Sequence, residues 1–210
     1  MESIKAVLTA DIVNSTLMDG KDLNDLIVMI RSEFKQSKVS SEFYRGDSFH
    51  LLTEIEDAFE MALKLRVLAR QVANVGAGGN ADIRIAIGLG KVQDGIKSMA
   101  LGKGEAFLLS GRELDLISKS QVRLSIRCSD SKIDPGLEAV ALLADMILKD
   151  LSSKQAEVLS ELLMGYTQME VALKLKKSQS TINKLAQAGN WSQLEKASQI
   201  YRKLAFYIQD

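Results

Sequence analysis

Apolar and polar positions alternate from Ile4 to Ala10, a β-branched run that predicts a strand. From Asp22 to Lys35 the period changes. Leu23, Leu26, Ile27, Ile30 and Phe34 recur every three or four residues, which predicts a helix with one apolar face. Val39 to Tyr44 and Ser48 to Thr53 are short strand patterns around Arg45-Gly46-Asp47, a turn of the kind that closes hairpins. A second helix follows, with Ile55, Phe59, Ala62, Leu63, Leu65, Val67 and Leu68 on a broad apolar face. Ile83 to Leu89 is predicted as a strand, Ala106 to Ile117 as a helix and Val122 to Cys128 as a strand. Strand, helix, hairpin, helix, strand, helix, strand is the ferredoxin-like βαββαβ plan with an addition.

Downstream of this the pattern is helical throughout. Asp134-Pro135 predicts a helix start, with Asp134 as cap, proline at the first helical position and an end near Lys149. Ser152 precedes Gln155 and Thr167 precedes Glu170 by three residues, so two helices each open on a capping box. Gly165 ends the first of them, and Ser178 starts a third whose Ile182 and Leu185 are placed to meet Val171, Ala172 and Leu175. In the last helix Leu194, Ala197, Tyr201, Leu204 and Ile208 form a stripe that needs cover, from the three-helix unit or from a second chain. The expected organisation is an α/β domain over 1–133, a linking helix over 134–150 and a small helical domain over 151–210. The overall class is α+β.

With 210 residues, 46% of them hydrophobic, the chain can bury one large core and still carry a small second domain. It has no apolar run of the roughly 18 residues that a membrane span needs, and Glu2 and Lys5 interrupt the N-terminus, so a soluble, cytoplasmic protein is expected. One cysteine, Cys128, and one histidine, His50, leave no basis for a disulfide framework or a zinc site. Any metal would be held by oxygen. The formal net charge of zero is unevenly spread: residues 151–210 hold eight basic and five acidic residues, a net of +3, which leaves −3 for the rest. The sign of the C-terminal part suits a nucleic-acid partner.

Candidate chemistry starts with two acids. Asp11 closes the first strand in Ala10-Asp11-Ile12-Val13-Asn14-Ser15-Thr16, and Asp47 lies in the hairpin turn. Two carboxylates at strand ends of one sheet can converge on a hard cation such as Mg²⁺. The plainer reading is that Asp11 caps the segment after its strand and Asp47 favours the turn. The run Asn74-Val75-Gly76-Ala77-Gly78-Gly79-Asn80 follows a helix and precedes a strand, the reverse of a phosphate-cradling order, and reads as a connector. Cys128 reads as an inert thiol, and His50 as a surface residue rather than a general base.

Taken together, Ala10-Asp11-Ile12-Val13-Asn14-Ser15-Thr16, Gly46-Asp47, Arg84-Ile85-Ala86-Ile87-Gly88-Leu89-Gly90 and Gly104-Glu105-Ala106-Phe107 leading to Arg112 resemble the class III nucleotidyl cyclase domain. They resemble more closely the small bacterial SatD family, a degenerate relative of that domain. The likeness covers roughly residues 4–128. It implies that Asp11, Asp47 and the backbone carbonyl of Ile12 hold Mg²⁺ or Mn²⁺, that Arg112 contacts phosphate, and that the chain is a homodimer. The cyclase position for the substrate-reading lysine falls on Phe43, that for the base-binding aspartate on Leu101, and that for the ribose-orienting asparagine on Leu108. Apolar side chains cannot read a purine edge, so cyclase activity is not expected. A retained metal, nucleotide or phosphate site remains compatible with these substitutions.

Residues 153–188 resemble the helix-turn-helix of bacterial transcription regulators. The third helix would present Gln179, Ser180, Asn183, Lys184 and Gln187 to DNA, with Lys177 on the phosphate backbone. Lys176 stands where such motifs usually place glycine and Lys177 where they usually bury an aliphatic residue, so the alternative to a Lys177 facing the DNA backbone is a distorted turn. The alternative for this unit is a packing or dimerisation module that never meets DNA. The leading expectation is a DNA-binding transcriptional regulator with a catalytically degenerate cyclase-like domain for sensing or dimerisation. The alternative is a metal-dependent phosphoryl-transfer enzyme built on Asp11, Asp47 and Arg112.

Overall fold

A computed structural model describes residues 2–44, 46–72, 79–93, 99 and 102–209. Arg45, Leu101 and residues 74–78 of the glycine-rich run lie outside the described residues. The elements run β1 (Glu2–Val13), α1 (Gly20–Gln36), β2 (Ser40–Tyr44), β3 (Ser48–Thr53), α2 (Ala58–Arg70), β4 (Asp82–Gln93), α3 (Glu105–Ile117) and β5 (Leu124–Arg127). The helices α4 (Asp134–Lys149), α5 (Ser153–Leu163), α6 (Gln168–Lys174), α7 (Gln179–Ala188) and α8 (Trp191–Gln209) follow. The class is α+β, with one five-stranded sheet in the order β2-β3-β1-β4-β5 and eight α-helices among the described residues.

β1 lies mid-sheet, antiparallel to both β3 and β4, and β5 adds to β4 in parallel. Side chains alternate across a strand, so Ala6, Leu8, Ala10 and Ile12 enter the main core while Val7 and Thr9 face the other side. On that other side α3 lies directly on β4. A Cβ on Gly88 would collide with the Ala106 carbonyl and come within 2.6 Å of the Ser110 amide nitrogen, so only glycine permits this approach. Thr9 donates to Ser110 Oγ at 2.9 Å across the same contact.

Several predicted boundaries shift for local reasons. The second helix begins at Ala58, because Ile55–Asp57 is a 3-10 turn. Helix α4 begins at Asp134, but its carboxylate does not cap that helix: it accepts from the Cys128 amide at 2.8 Å and from Arg127 at 3.0 Å. Both predicted capping boxes form, at Ser152 with Gln155 and at Thr167 with Glu170.

The stripe on α8 meets the three-helix unit only in part, sharing a core with α5 and a contact with α7. It packs on α2, α4 and the 3-10 turn of the same chain: Tyr201 stacks on Phe59 at 5.2 Å and donates to the Ile55 carbonyl at 2.6 Å. Leu194, Ala197, Tyr201 and Ala205 belong to the main core, as do Ala156, Leu159 and Leu163 of α5. A second, smaller core of Val158, Leu162, Val171, Ala172, Ile182 and Ala186 joins α5, α6 and α7.

Candidate functional site

The antiparallel register places Asp11 directly opposite Ser48 on one side and Arg84 on the other. Asp47 sits beside them in the turn after β2, next to Gly46, whose φ of +87° is a conformation that glycine takes without strain. The Ile12 amide donates to the Asp47 carbonyl at 3.0 Å and ties the turn to the end of β1. Ser15 donates to Asp47 Oδ2 at 2.5 Å and Ser48 to Oδ1 at 3.2 Å. Arg84 Nη1 donates to both Asp11 oxygens at 3.0 Å.

Electrostatics at this corner do not favour the ionised form of Asp11. Burial pushes its carboxyl above the ordinary range, Arg84 pulls it down, and the charge of Asp47 adds a further upward push. Burial therefore outweighs the arginine. A divalent cation would relieve Asp11, and two carboxylates with backbone oxygens nearby suit Mg²⁺ or Mn²⁺ chemically. Arg84 already stands on Asp11, however, and no cluster of three or more His, Cys, Asp or Glu side chains is found among the described residues. The corner fits a cation only if Arg84 gives way.

The other expected residues are distributed differently. Arg112 is exposed on α3 and pairs with neither aspartate. Phe43 packs with Phe34 and Phe49 in the α1-side core, under Arg31, and so does not line the Asp11 corner. Leu108 is exposed. His50 is half-buried, stacked on Tyr44 with Nδ1 at 3.1 Å from Thr9 Oγ1, and burial lowers its pKa. The Cys128 thiol is pushed up to about 11 by burial, which keeps it protonated and unreactive at neutral pH.

Two features of the structure have no clear signal in the sequence. Arg84 shows there only as part of a strand motif, and nothing local fixes the register that sets it opposite Asp11. The second is a buried knot where β4 begins. Arg66 donates to Asp82 through Nε (2.9 Å) and Nη2 (2.8 Å) and to Asp145 through Nη1 (2.7 Å), and all three side chains are fully buried. Arg123 adds a hydrogen bond to Asp82 at 2.8 Å. Burial alone would raise Asp82, but Arg66 and Arg123 outweigh it and hold the carboxyl below its ordinary range.

At the other end of the chain, α7 buries Ile182 and Ala186 and leaves Gln179, Ser180, Asn183, Lys184 and Gln187 exposed. Asn183 donates to Gln168 of α6 at 3.2 Å. Lys177 does not face outward alone: it is half-buried and pairs with Glu157 of α5 at 2.5 Å. Lys176 takes the left-handed φ of +52°, and the Lys177 amide reaches back to the Ala172 carbonyl at 2.9 Å. The turn thus keeps the geometry usually served by glycine, with lysine in its place.

The fold and its carboxylate corner define an α+β sheet protein with a helical C-terminal part. No protein-family model matches the chain, and no curated protein matches it. Among solved structures it is similar to the guanylate cyclase domain of RhGC from Catenaria anguillulae in complex with GTP, with TM-score 0.47 and 22% identity over 62% of this chain and 81% of that one. It is also similar to the monomeric guanylyl cyclase domain of the RhoGC fusion protein from the aquatic fungus Blastocladiella emersonii (0.41, 21%, 55% and 77%). A third likeness is to the active GGEEF domain of a diguanylate cyclase from Vibrio cholerae (0.41, 14%, 56% and 78%). These scores are too low to carry a function across. Among the described residues no helix is long and apolar enough to cross a membrane.

Proposed function

We propose that this chain is a DNA-binding regulatory protein in which a catalytically degenerate, cyclase-like sheet domain of ferredoxin-like order (1–133) leads through a helix (134–150) that packs in the same core to a helix-turn-helix unit within 151–210, a stretch whose last helix packs back on that core. The observation that carries this reading is the outer face of α7. Five polar side chains are exposed there over a face packed by Ile182 and Ala186. Gln and Asn pair with adenine edges and Lys with guanine or phosphate, which is the chemistry of major-groove readout. The left-handed φ of Lys176 supports it, because the α6–α7 turn keeps the form for which such motifs usually use glycine. The homodimer implied by the cyclase resemblance would present two such helices to a two-fold site.

Gel shifts of the full chain against genomic fragments at several salt concentrations test this. Binding should weaken with salt, and Asn183→Ala with Lys184→Ala should lower specific affinity by about 1–3 kcal/mol for each base-reading side chain removed. A full chain that retards no fragment at low salt would end the reading.

A second reading is favoured by the convergence of Asp11 and Asp47: a nucleotide-acting or nucleotide-sensing protein using Mg²⁺ or Mn²⁺. In it the two carboxylates take the cation, Arg84 is displaced from Asp11, and Arg112 meets phosphate. Nucleoside triphosphate with Mn²⁺ should then raise the melting temperature of the wild type and not of Asp11→Ala. An equal rise in both proteins would remove it.

A further inference from the structure

Where β1 ends and β4 and β5 begin, two open cavities of about 440 and 480 Å³ adjoin, both bordered by Val13, Asn14 and Arg123. The first is lined in addition by Arg70, Asn80 and Lys149, and the second by Arg84 and Lys119. We propose that this basic recess is a binding site for a small phosphate-bearing anion, held chiefly by Arg70, Arg123 and Lys149.

Five of its lining side chains are basic, Arg70, Arg84, Lys119, Arg123 and Lys149, and one, Asp82, is acidic. The acids of the recess are turned into the protein: Asp82 receives Arg66, Arg123 and the Ile83 amide, and Asp145 receives Arg66, Lys149 and the Arg123 amide. The cations keep donors to spare. Arg70 binds the Leu151 carbonyl through Nε and Nη2, at 3.2 and 2.7 Å, which leaves Nη1. Arg123 binds Asp82 through Nη1, which leaves Nε and Nη2. Lys149 Nζ meets Asp145 and the Gln121 carbonyl, each at 3.0 Å, and an ammonium has a third proton to offer.

Arg66, Arg70, Arg123 and Lys149 together face Asp82, Asp145 and the neighbouring Asp150, so one positive charge is unmatched before Lys119 is added. Burial, joined by the charges of Arg123 and Arg66, works against the Arg70 charge, and Asp82 and Asp150 offset only part of this. Arg84, which lines the second cavity, keeps its Nε inside the protein with no hydrogen-bond partner. Forked guanidinium donors match tetrahedral oxyanions, and a bound phosphate would accept from the spare donors of Arg70, Arg123 and Lys149 and supply the missing charge.

The position of the recess also bears on the rest of the chain. The carbonyl that Arg70 holds belongs to Leu151, immediately before the Ser152 cap of α5. A ligand that recruits Arg70 therefore engages the side chain that holds the segment from which the three-helix unit departs.

The site uses neither α7 nor a divalent cation, so its test is separate from those above. The full chain is titrated, at constant ionic strength and with chelator present, with orthophosphate, sulfate and a nucleoside triphosphate, followed by thermal shift and calorimetry. Saturable binding of a phosphate-bearing anion is expected, weakened about tenfold or more in Lys149→Gln, restored in Lys149→Arg and unchanged in the remote Lys132→Gln. Arg123→Gln should abolish it if that variant folds. A nucleotide binding more tightly than orthophosphate would make a nucleotide the ligand, and equal affinities would make it free phosphate. No saturable binding of any anion, or equal affinity in wild type and Lys149→Gln, overturns the proposal.

Discussion

Two arginine–carboxylate centres stand close together where β4 starts, and their electrostatics have opposite signs. At Asp82 the paired carboxyl is depressed below its ordinary value, and at Asp11 it is raised. The difference lies in the number of donors set against burial. Asp82 is fully buried but receives two nitrogens of Arg66, one of Arg123 and the Ile83 amide. Asp11 is only partly exposed and receives a single nitrogen of Arg84, with the charge of Asp47 nearby. An arginine at hydrogen-bond distance therefore does not by itself make a carboxylate stabilising. The ionised Asp82 supports the fold, whereas the ionised Asp11 is carried at a loss, which is the usual state of a group kept for something other than stability.

The sharpest way to break this comparison is to neutralise the supportive acid. Asp82→Asn leaves Arg66 buried with one charged partner, and removing one member of a buried ion pair typically costs about 3–5 kcal/mol. Urea unfolding at neutral pH should show that loss. Because the folded pKa of Asp82 is depressed, its contribution is present above the unfolded value near 3.8 and disappears as pH falls through the lower folded value. The wild type should converge on the variant only in that acid range. A variant as stable as wild type at neutral pH would mean that the knot contributes nothing.

Packing, not charge, should dominate on the Asp11 side of the sheet. Gly88→Ala sets a methyl against the Ala106 carbonyl and the Ser110 amide, both backbone groups that cannot turn aside. Forcing α3 off β4 should cost about 1–3 kcal/mol, seen as a lower urea midpoint. A smaller loss, about 1 kcal/mol, is expected for Ser15→Ala, which removes the 2.5 Å hydrogen bond to Asp47 but leaves the one from Ser48. If Ser15→Ala proved the worse of the two, the turn and not the α3 packing would be what holds this corner.

How much of this is legible in the sequence follows from the range of each interaction. The helices, the hairpin and both capping boxes rest on spacings of two to four residues, and they can be read directly. Arg66, Asp82 and Asp145 lie far apart along the chain on α2, β4 and α4, and nothing local announces that they meet. Arg84 is obscured for a subtler reason. Both strands are evident, but register is decided by every pair along them at once, and a slip of one residue would send Arg84 to the opposite face. The α8 stripe likewise announces that it needs cover but not which surface supplies it, since an apolar stripe fits the chain's own α2 and α4 as well as a partner. On α7 the exposed face follows from periodicity, while the pairing of Lys177 with Glu157 depends on the angle between α5 and the turn.

The smallest effect is expected at Asp11, and its sign is what matters. A raised folded pKa means that the folded state binds the proton more tightly, so stability falls as pH rises from about 3.8 through the raised value, and the full penalty is present above it. Asp11→Asn removes that penalty and also the ion pair with Arg84, so at neutral pH it should match the wild type to within about 1 kcal/mol or exceed it. Paired urea titrations from acid to neutral pH should show the variant gaining on the wild type as pH rises, the reverse of Asp82→Asn. A variant that falls steadily behind instead would mean that Arg84 outweighs burial, and the two centres would be alike. Adding Mn²⁺ sharpens the contrast: a cation that displaces Arg84 should lift the wild type and leave Asp11→Asn where it was, because only the charged corner gains by taking it.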